Sequence, residues 1–241
     1  MNQCQNCKCN VMGVCTVCFM PVDRAMSYLG ECGCEQPAEF FFRYPPEFPP
    51  IIGFAGFARA GKDTCADMVR EMFPDVYTRS AFANALKDEC GLMLSMVDDD
   101  FPDLHDDRSK VKYRDFLVFW GKFRRQQQED YWIKKLNNSE MAKRRKNSKS
   151  RLGTVISDVR YPNEVDWIHK NGGIVIYISR PSAVPANSEE HYTVNEILRN
   201  GMEDYRIENN GSLEDLKEKV IKLISEVIYA EKVHKDIPGN T

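Results

Sequence analysis

The chain predicts an α/β fold, a parallel sheet flanked by helices, with a small cysteine-rich module ahead of it. Three observations carry this expectation. Short continuous apolar runs alternate with segments that are apolar at helical spacing, the pattern of strands buried on both faces and covered by helices. The first of these runs, Ile51–Ala55, leads into a glycine-bounded loop and then a helical pattern. Seven of the nine cysteines lie within residues 1–34, so the composition changes sharply before the first strand. A length of 241 residues accommodates one full α/β domain and a small module. The expected boundaries are residues 1–36 for the module, 37–50 for a proline-rich aromatic connector, and 51–241 for the main domain.

The elements follow in order. Ile51–Ala55 reads as a buried strand, and residues 63–73 as an amphipathic helix carrying Cys65, Met68, Val69, Met72 and Phe73, ended by Pro74. A short strand is expected at 76–79, a helix at 83–96, an acidic loop at 98–107, and two helices at 112–127 and 129–143. Residues 143–151 are basic and polar and read as a loop. A buried strand at 154–157 ends at Asp158-Val159-Arg160. Pro162 suits the first position of the helix that follows, and Asn171-Gly172-Gly173 stops it. Ile174–Ser179 reads as another buried strand, Tyr205–Glu208 as a short one, and Ser212 as the cap of a last helix to about residue 230.

The loop after the first strand carries the clearest chemistry. Gly56-Phe57-Ala58-Arg59-Ala60-Gly61-Lys62-Asp63-Thr64 sits between a strand and a helix, which is the context of a P-loop. Its glycines allow tight backbone conformations, so successive N–H groups, from Gly56, Ala58, Ala60 and Gly61 onward, can turn toward anionic oxygens. The helix behind adds its positive end, and Lys62 supplies a mobile charge for the β- and γ-phosphates of a nucleotide. The residue after the lysine is Asp63 instead of the customary Ser or Thr. Either Asp63 approaches Mg²⁺ through water, or Thr64 takes that role one step later.

Ligands of such sheets bind beyond the C-terminal strand ends. Asp158 and Arg160 follow a second strand and should face the same crevice as the loop. Arg160 suits bidentate phosphate recognition. A net charge of −3 argues against a generic nucleic-acid binder. No apolar run reaches membrane-span length and no signal-peptide core opens the chain, so a soluble intracellular protein is expected.

The N-terminal cysteines pair as Cys4-x-x-Cys7, Cys15-x-x-Cys18 and Cys32-x-Cys34. Two such turns complete a tetrahedral Zn²⁺ site. Cys4, Cys7, Cys15 and Cys18 make one ligand set, and Cys32 with Cys34 joined to either earlier pair makes another. An iron–sulfur cluster is the lesser alternative. Such a site would be structural, because a module of this size lacks a core without metal. Cys65 and Cys90 lie in predicted helices and read as packing residues.

Asp158-Val159-Arg160-Tyr161-Pro162-Asn163-Glu164, taken with Gly61-Lys62-Asp63-Thr64, resembles the phage-type deoxynucleoside monophosphate kinases. So do Ala81-Phe82-Ala83-Asn84-Ala85-Leu86-Lys87, residues 116–121 with Tyr131-Trp132-Ile133, the run from Gly172 to Arg180-Pro181, and the closing stretch of His191 with residues 205–216. The resemblance spans about residues 51–225 and implies a P-loop NTPase-type sheet. It implies transfer of the γ-phosphoryl of ATP to a deoxynucleoside 5′-monophosphate, in a phage-encoded enzyme working in the host cytoplasm to supply DNA precursors. Lys62 and Mg²⁺ would stabilise the transferred group, with Arg59 leaning over it. Arg160 and one of Arg124 or Arg125 would hold the acceptor phosphate or the transition-state charge. Asp158 and Glu164 would meet the acceptor's base or sugar, and Trp132 or Tyr131 would stack on the base. Arg180 would approach ATP from a strand end or cap a loop, and residues 143–151 would form a lid or a solvated loop. A structural or surface role falls to His191. A homodimer is compatible with all of this. Two rival readings are a P-loop kinase of another small phosphorylated acceptor, and a zinc-bearing binding protein that uses the P-loop as a nucleotide switch without turnover.

Overall fold

The computed structural model describes residues 10–11, 14–15, 48–74, 76–97, 103–146 and 153–235. These fall into two units, residues 50–210 and a second unit that holds the N-terminal strands and the last helix. In the second unit, β1 (Asn10–Val11) pairs antiparallel with β2 (Val14–Cys15).

The larger unit is a five-stranded, wholly parallel sheet. In chain order it contains β3 (Ile51–Ala55), α1 (Lys62–Met72), β4 (Tyr77–Ser80), α2 (Phe82–Ser95), α3 (Asp107–Lys112), α4 (Arg114–Gln127), α5 (Tyr131–Lys146), β5 (Gly153–Val159), α6 (Pro162–Lys170), β6 (Ile174–Ser179), α7 (Ser188–Arg199) and β7 (Tyr205–Glu208). The strand order is β4-β5-β3-β6-β7. The chain thus runs outward from β3 to β4, returns to place β5 between them, then crosses to the other side of β3. The loops that follow β3 and β5 therefore open side by side, the arrangement that forms a crevice at the carboxyl edge of a doubly wound sheet.

Burial explains why β3 is the axis. All five of its residues are buried, and its register runs Ile52 opposite Val155 on one side and Ile174 on the other. One core joins Ala55, Phe82, Ile133, Leu136, Ile156, Val165, Ile168, Val194 and Ile197. A second gathers Cys90, Leu104 and Leu117 with Leu86, Phe116 and Trp120 among the helices. Cys65 and Cys90 are both fully buried, and burial pushes each thiol up to about 12, which makes them packing residues.

Several expected elements differ in extent. β5 runs to Val159, so Asp158 lies within the strand. The acidic stretch ends in α3, which begins at Asp107; residues 98–102 lie outside the described residues. α5 continues to Lys146, so the expected loop at 143–151 starts as helix, and residues 147–152 lie outside the description. α7 was not anticipated: its apolar stripe of Val194, Ile197 and Leu198 is short and sits late in the helix, behind a polar first turn. In the second unit the last helix, α8 (Leu213–Lys235), opens as expected at Ser212, whose hydroxyl accepts from the Asp215 N–H while the Asp215 carboxylate accepts from the Ser212 N–H.

No helix among the described residues is long and apolar enough to cross a membrane. Of the proposed zinc ligands only Cys15 is described, at the end of β2; Cys4, Cys7, Cys18, Cys32 and Cys34 lie outside the described residues. Among the described residues no group of three or more His, Cys, Asp or Glu side chains could hold a metal ion.

Candidate active site

The loop between β3 and α1 is built on three left-handed or glycine-type backbone positions: Gly56 at φ 140, Arg59 at φ 64 and Gly61 at φ 106. Gly56 is held against β6, where a Cβ would stand 2.4 Å from the carbonyl oxygen of Ile178. A turn closes with Ala60 N–H donating to Phe57 O at 3.2 Å, and Gly61 caps α1 with no side-chain cap of its own. The first-turn N–H groups of α1 are therefore directed out of the helix, where anionic oxygens are favoured. Ala58 is half-buried, and the Arg59 side chain is exposed at the apex.

The loop is anchored from the far side of the sheet. Asn209, which follows β7, is buried and its Nδ2 donates to Ala60 O at 2.8 Å. Its own N–H donates to Ser179 O, so the anchor is fixed to the end of β6. Asn209→Ala would leave the Ala60 carbonyl without this donor, and urea unfolding should show a loss of about 1–3 kcal/mol.

Lys62 folds back onto its own loop. Its ammonium donates to Gly56 O at 2.7 Å and Phe57 O at 2.8 Å, and the residue is only 6% exposed. Burial, and then the nearby Arg160 guanidinium, pull its pKa from an ordinary 10.5 down to about 8, against the opposing pull of Glu190, Asp63 and Asp158. The sign for stability follows. Between pH 8 and 10.5 the unfolded chain binds the proton that the folded chain has released, so this group's contribution to stability rises with pH across that window. Lys62→Met should therefore gain on the parent chain most below pH 8. That advantage should shrink by up to about 3 kcal/mol as pH climbs through the window, read from paired urea titrations.

Asp63 is held in place from two strands. The Arg79 guanidinium of β4 pairs with it and also with Asp67 at 2.7 Å, while Ser157 Oγ of β5 donates to it at 2.9 Å. Thr64, half-buried, follows on the same turn. The carboxylate and the hydroxyl are hard oxygen donors of the kind Mg²⁺ takes, so this end of α1 fits the ion. Sequence reading missed Arg79 and Ser157, because their link to Asp63 depends on the order of β4 and β5 in the sheet.

Asp158 accepts the N–H groups of Phe82 and Ala83 at 2.8 and 2.9 Å, which ties the opening of α2 to β5. Glu164 is buried, and its Oε2 accepts from the Arg160 and Tyr161 N–H groups at 2.8 and 3.1 Å. Burial raises its carboxyl to about 7, with Arg125 acting in the opposite direction. These carboxylates shape the Asp158–Glu164 turn from which Arg160 projects.

The two arginines at the end of α4 separate. Arg125 lies over the Tyr161 ring at 3.9 Å and 3.8 Å from Glu164, so it joins the Arg160 turn. Arg124 lies between the Trp120 and Tyr131 rings, 4.7 Å from each, with Nε 3.5 Å from Glu89. Glu89 also accepts from Trp120 Nε1 at 3.0 Å, from the Tyr131 hydroxyl and from Lys135 at 2.9 Å. Trp132 is a core residue, 2% exposed, with Nε1 donating to Gly121 O. Of the two aromatics expected to stack on a base, only Tyr131 retains partial exposure. Arg180 is exposed immediately beyond β6.

α7 completes the crevice. Glu189 accepts from the Tyr161 hydroxyl at 3.0 Å, Glu190 faces Arg160 at 3.5 Å, and the His191 ring lies parallel to Phe57 of the loop, 6.3 Å between centroids. Its signal in the sequence is Asn187 followed by Ser188-Glu189-Glu190, an N-cap with acids in the first turn. Asn187 Oδ1 does accept the Glu190 N–H.

Residues 124–220 match a family model described as deoxynucleotide monophosphate kinase. No curated protein matches the chain. Among solved structures it is similar to dephospho-CoA kinase from Campylobacter jejuni, with a TM-score of 0.44 and 14% identity over 75% of this chain and 98% of that one. It is also similar to shikimate kinase from Acinetobacter baumannii in complex with shikimate, with a TM-score of 0.41 and 16% identity over 79% and 98%. The phosphate loop, the parallel sheet behind it and the matched family stretch together support a nucleotide or small-molecule kinase.

Proposed function

We propose that the chain transfers the γ-phosphoryl of ATP to a deoxynucleoside 5′-monophosphate. The observation that carries this reading is the loop itself: Gly56, Arg59 and Gly61 at positive φ turn the chain back on the start of α1, where the Lys62 ammonium lies 2.7 and 2.8 Å from the Gly56 and Phe57 carbonyl oxygens, and Arg160 follows β5, the strand beside β3. The family match over residues 124–220, which includes Arg124, Arg125, Arg160 and Arg180, supports the choice of acceptor.

The acceptor is already a nucleophile, since its phosphate carries negative oxygens at neutral pH. One of them forms a bond to the γ-phosphorus while the bond from that phosphorus to the β–γ bridging oxygen breaks, leaving ADP. Catalysis then consists of alignment and charge neutralisation. The Gly56–Gly61 loop and the first turn of α1 would cradle the ATP phosphates. Lys62 would leave its two carbonyls to meet them, and Arg59 would cover them. Arg160 and Arg125 would hold the acceptor phosphate, and Tyr131 would lie against the base. Asp63 and Thr64 would hold Mg²⁺, which when bound neutralises phosphate charge. Zinc in the N-terminal module rests on the pairing of Cys4, Cys7, Cys15, Cys18, Cys32 and Cys34 in the sequence, and metal analysis of the purified chain tests it.

The deciding assay is phosphoryl transfer from γ-labelled ATP to dGMP, dTMP, dCMP, dAMP and their ribose counterparts. Labelled diphosphate on a deoxynucleotide is the expected result. ATP bound with no transfer to any monophosphate would refute it and favour another phosphorylated acceptor or a nucleotide switch.

A further inference from the structure

Glu190 has a combination of features that its helix does not need. Its side chain is 1% exposed. One carboxylate oxygen, Oε2, accepts the Ala186 N–H and so helps open α7. The other, Oε1, is buried with no hydrogen-bond partner among the described residues and lies 3.5 Å from Arg160 Nη1. A capping carboxylate needs only one oxygen and is ordinarily solvated. Sinking the second oxygen costs desolvation that the cap cannot repay, so its return must lie in what it faces. It faces the guanidinium that projects from the Asp158–Glu164 turn. That turn is otherwise fixed through its backbone, by Glu164, and among the described residues the Arg160 head group has no other ion pair or hydrogen bond.

We infer that Glu190 is the positioning residue for Arg160, fixing its guanidinium at the acceptor side of the crevice from the first turn of α7. The inference rests on the kinase reading above. The ion pair is made at one guanidinium nitrogen, Nη1, and leaves the other N–H groups to meet phosphate oxygens. A rigid, buried carboxylate sets the direction of a long side chain that is itself 41% exposed, which is how a binding group is pre-organised. Because α7 also lies against the phosphate loop through His191 and Phe57, a general loosening of the helix would disturb both substrates. A positioning role weighs chiefly on the acceptor.

The test uses the full chain carrying Glu190→Gln, which keeps an oxygen to accept the Ala186 N–H and removes the charge. The acceptor KM should rise about tenfold, well beyond the smaller change in the ATP KM that losing a charge near Lys62 brings. In an Arg160→Ala background the same substitution should add almost nothing, because its effect runs through that guanidinium. Equal rises in both KM values, or losses that multiply in the double variant, would overturn the inference. Glu190→Asp, which keeps the charge but withdraws it by one methylene, should give the same selective loss and serves if the Gln variant does not fold. A second readout needs no turnover: inorganic phosphate should protect Arg160 from phenylglyoxal, scored by mass spectrometry, and Glu190→Gln should need about tenfold more phosphate for equal protection. An unchanged phosphate requirement would sink the positioning role even where the parent chain phosphorylates nothing, whereas a parent chain that transfers no phosphoryl group sinks the kinase reading alone.

Discussion

Lys62→Met should reduce phosphoryl transfer by about a thousandfold or more while the fold stands. The loss is large because the ammonium sits at the mouth of α1 on a side chain long enough to reach from the loop carbonyls to a bound phosphate. The fold survives because the lysine's burial is a burden that folding already carries: desolvation is the leading cause of its lowered pKa. Methionine keeps the length and removes the charge. The measurement is turnover beside urea unfolding of the same preparation. Near-parental turnover would remove Lys62 from the chemistry, and collapse of the fold would mean that its bonds to Gly56 and Phe57 hold the loop together.

Gly56→Ala should be the most destabilising change in the loop, by about 3 kcal/mol or more. Two independent costs coincide. The backbone sits at φ 140, a region that side chains rarely enter, and the added methyl carbon would stand 2.4 Å from the Ile178 carbonyl oxygen. That oxygen belongs to a buried central strand and cannot rotate aside like a flexible side chain. Relief would require the loop to lift away from β6 and strain the Asn209–Ala60 anchor. Chemical denaturation with an ATP-binding titration on the surviving fraction checks this. A variant of parental stability would mean that the loop shifts freely.

How much of this was legible beforehand divides along the range of the interaction. Ile51–Ala55, the glycines and Lys62 announce themselves within a dozen residues, because a buried strand, a tight turn and a helix start are all local events. The same holds for Pro162 at the head of α6 and Ser212 before α8. What escaped depends on strand order. Arg79 meets Asp63 only because β4 lies beside β5, and Asn209 reaches Ala60 only because β6 and β7 follow β3 across the sheet. Glu190 escaped with its helix: a carboxylate in a first helical turn reads as an ordinary cap, and nothing near it in sequence indicates that its second oxygen is buried against Arg160. Trp132 shows the opposite limit, since an aromatic beside a tyrosine does not disclose which of the two the core will take.

The retracted lysine has a consequence for selectivity. With Nζ already joined to two carbonyl oxygens, the backbone of the loop competes with any incoming anion for the same cation. A halide offers a single contact in exchange for two and gains little. A chain of phosphates offers several oxygens at once, together with the open N–H groups of the α1 first turn, and so outbids the carbonyls. Such a loop would favour a ligand with several oxygens over a small anion, because the competitors it must displace from Lys62 are two main-chain carbonyls that stay in place whichever side chains surround them.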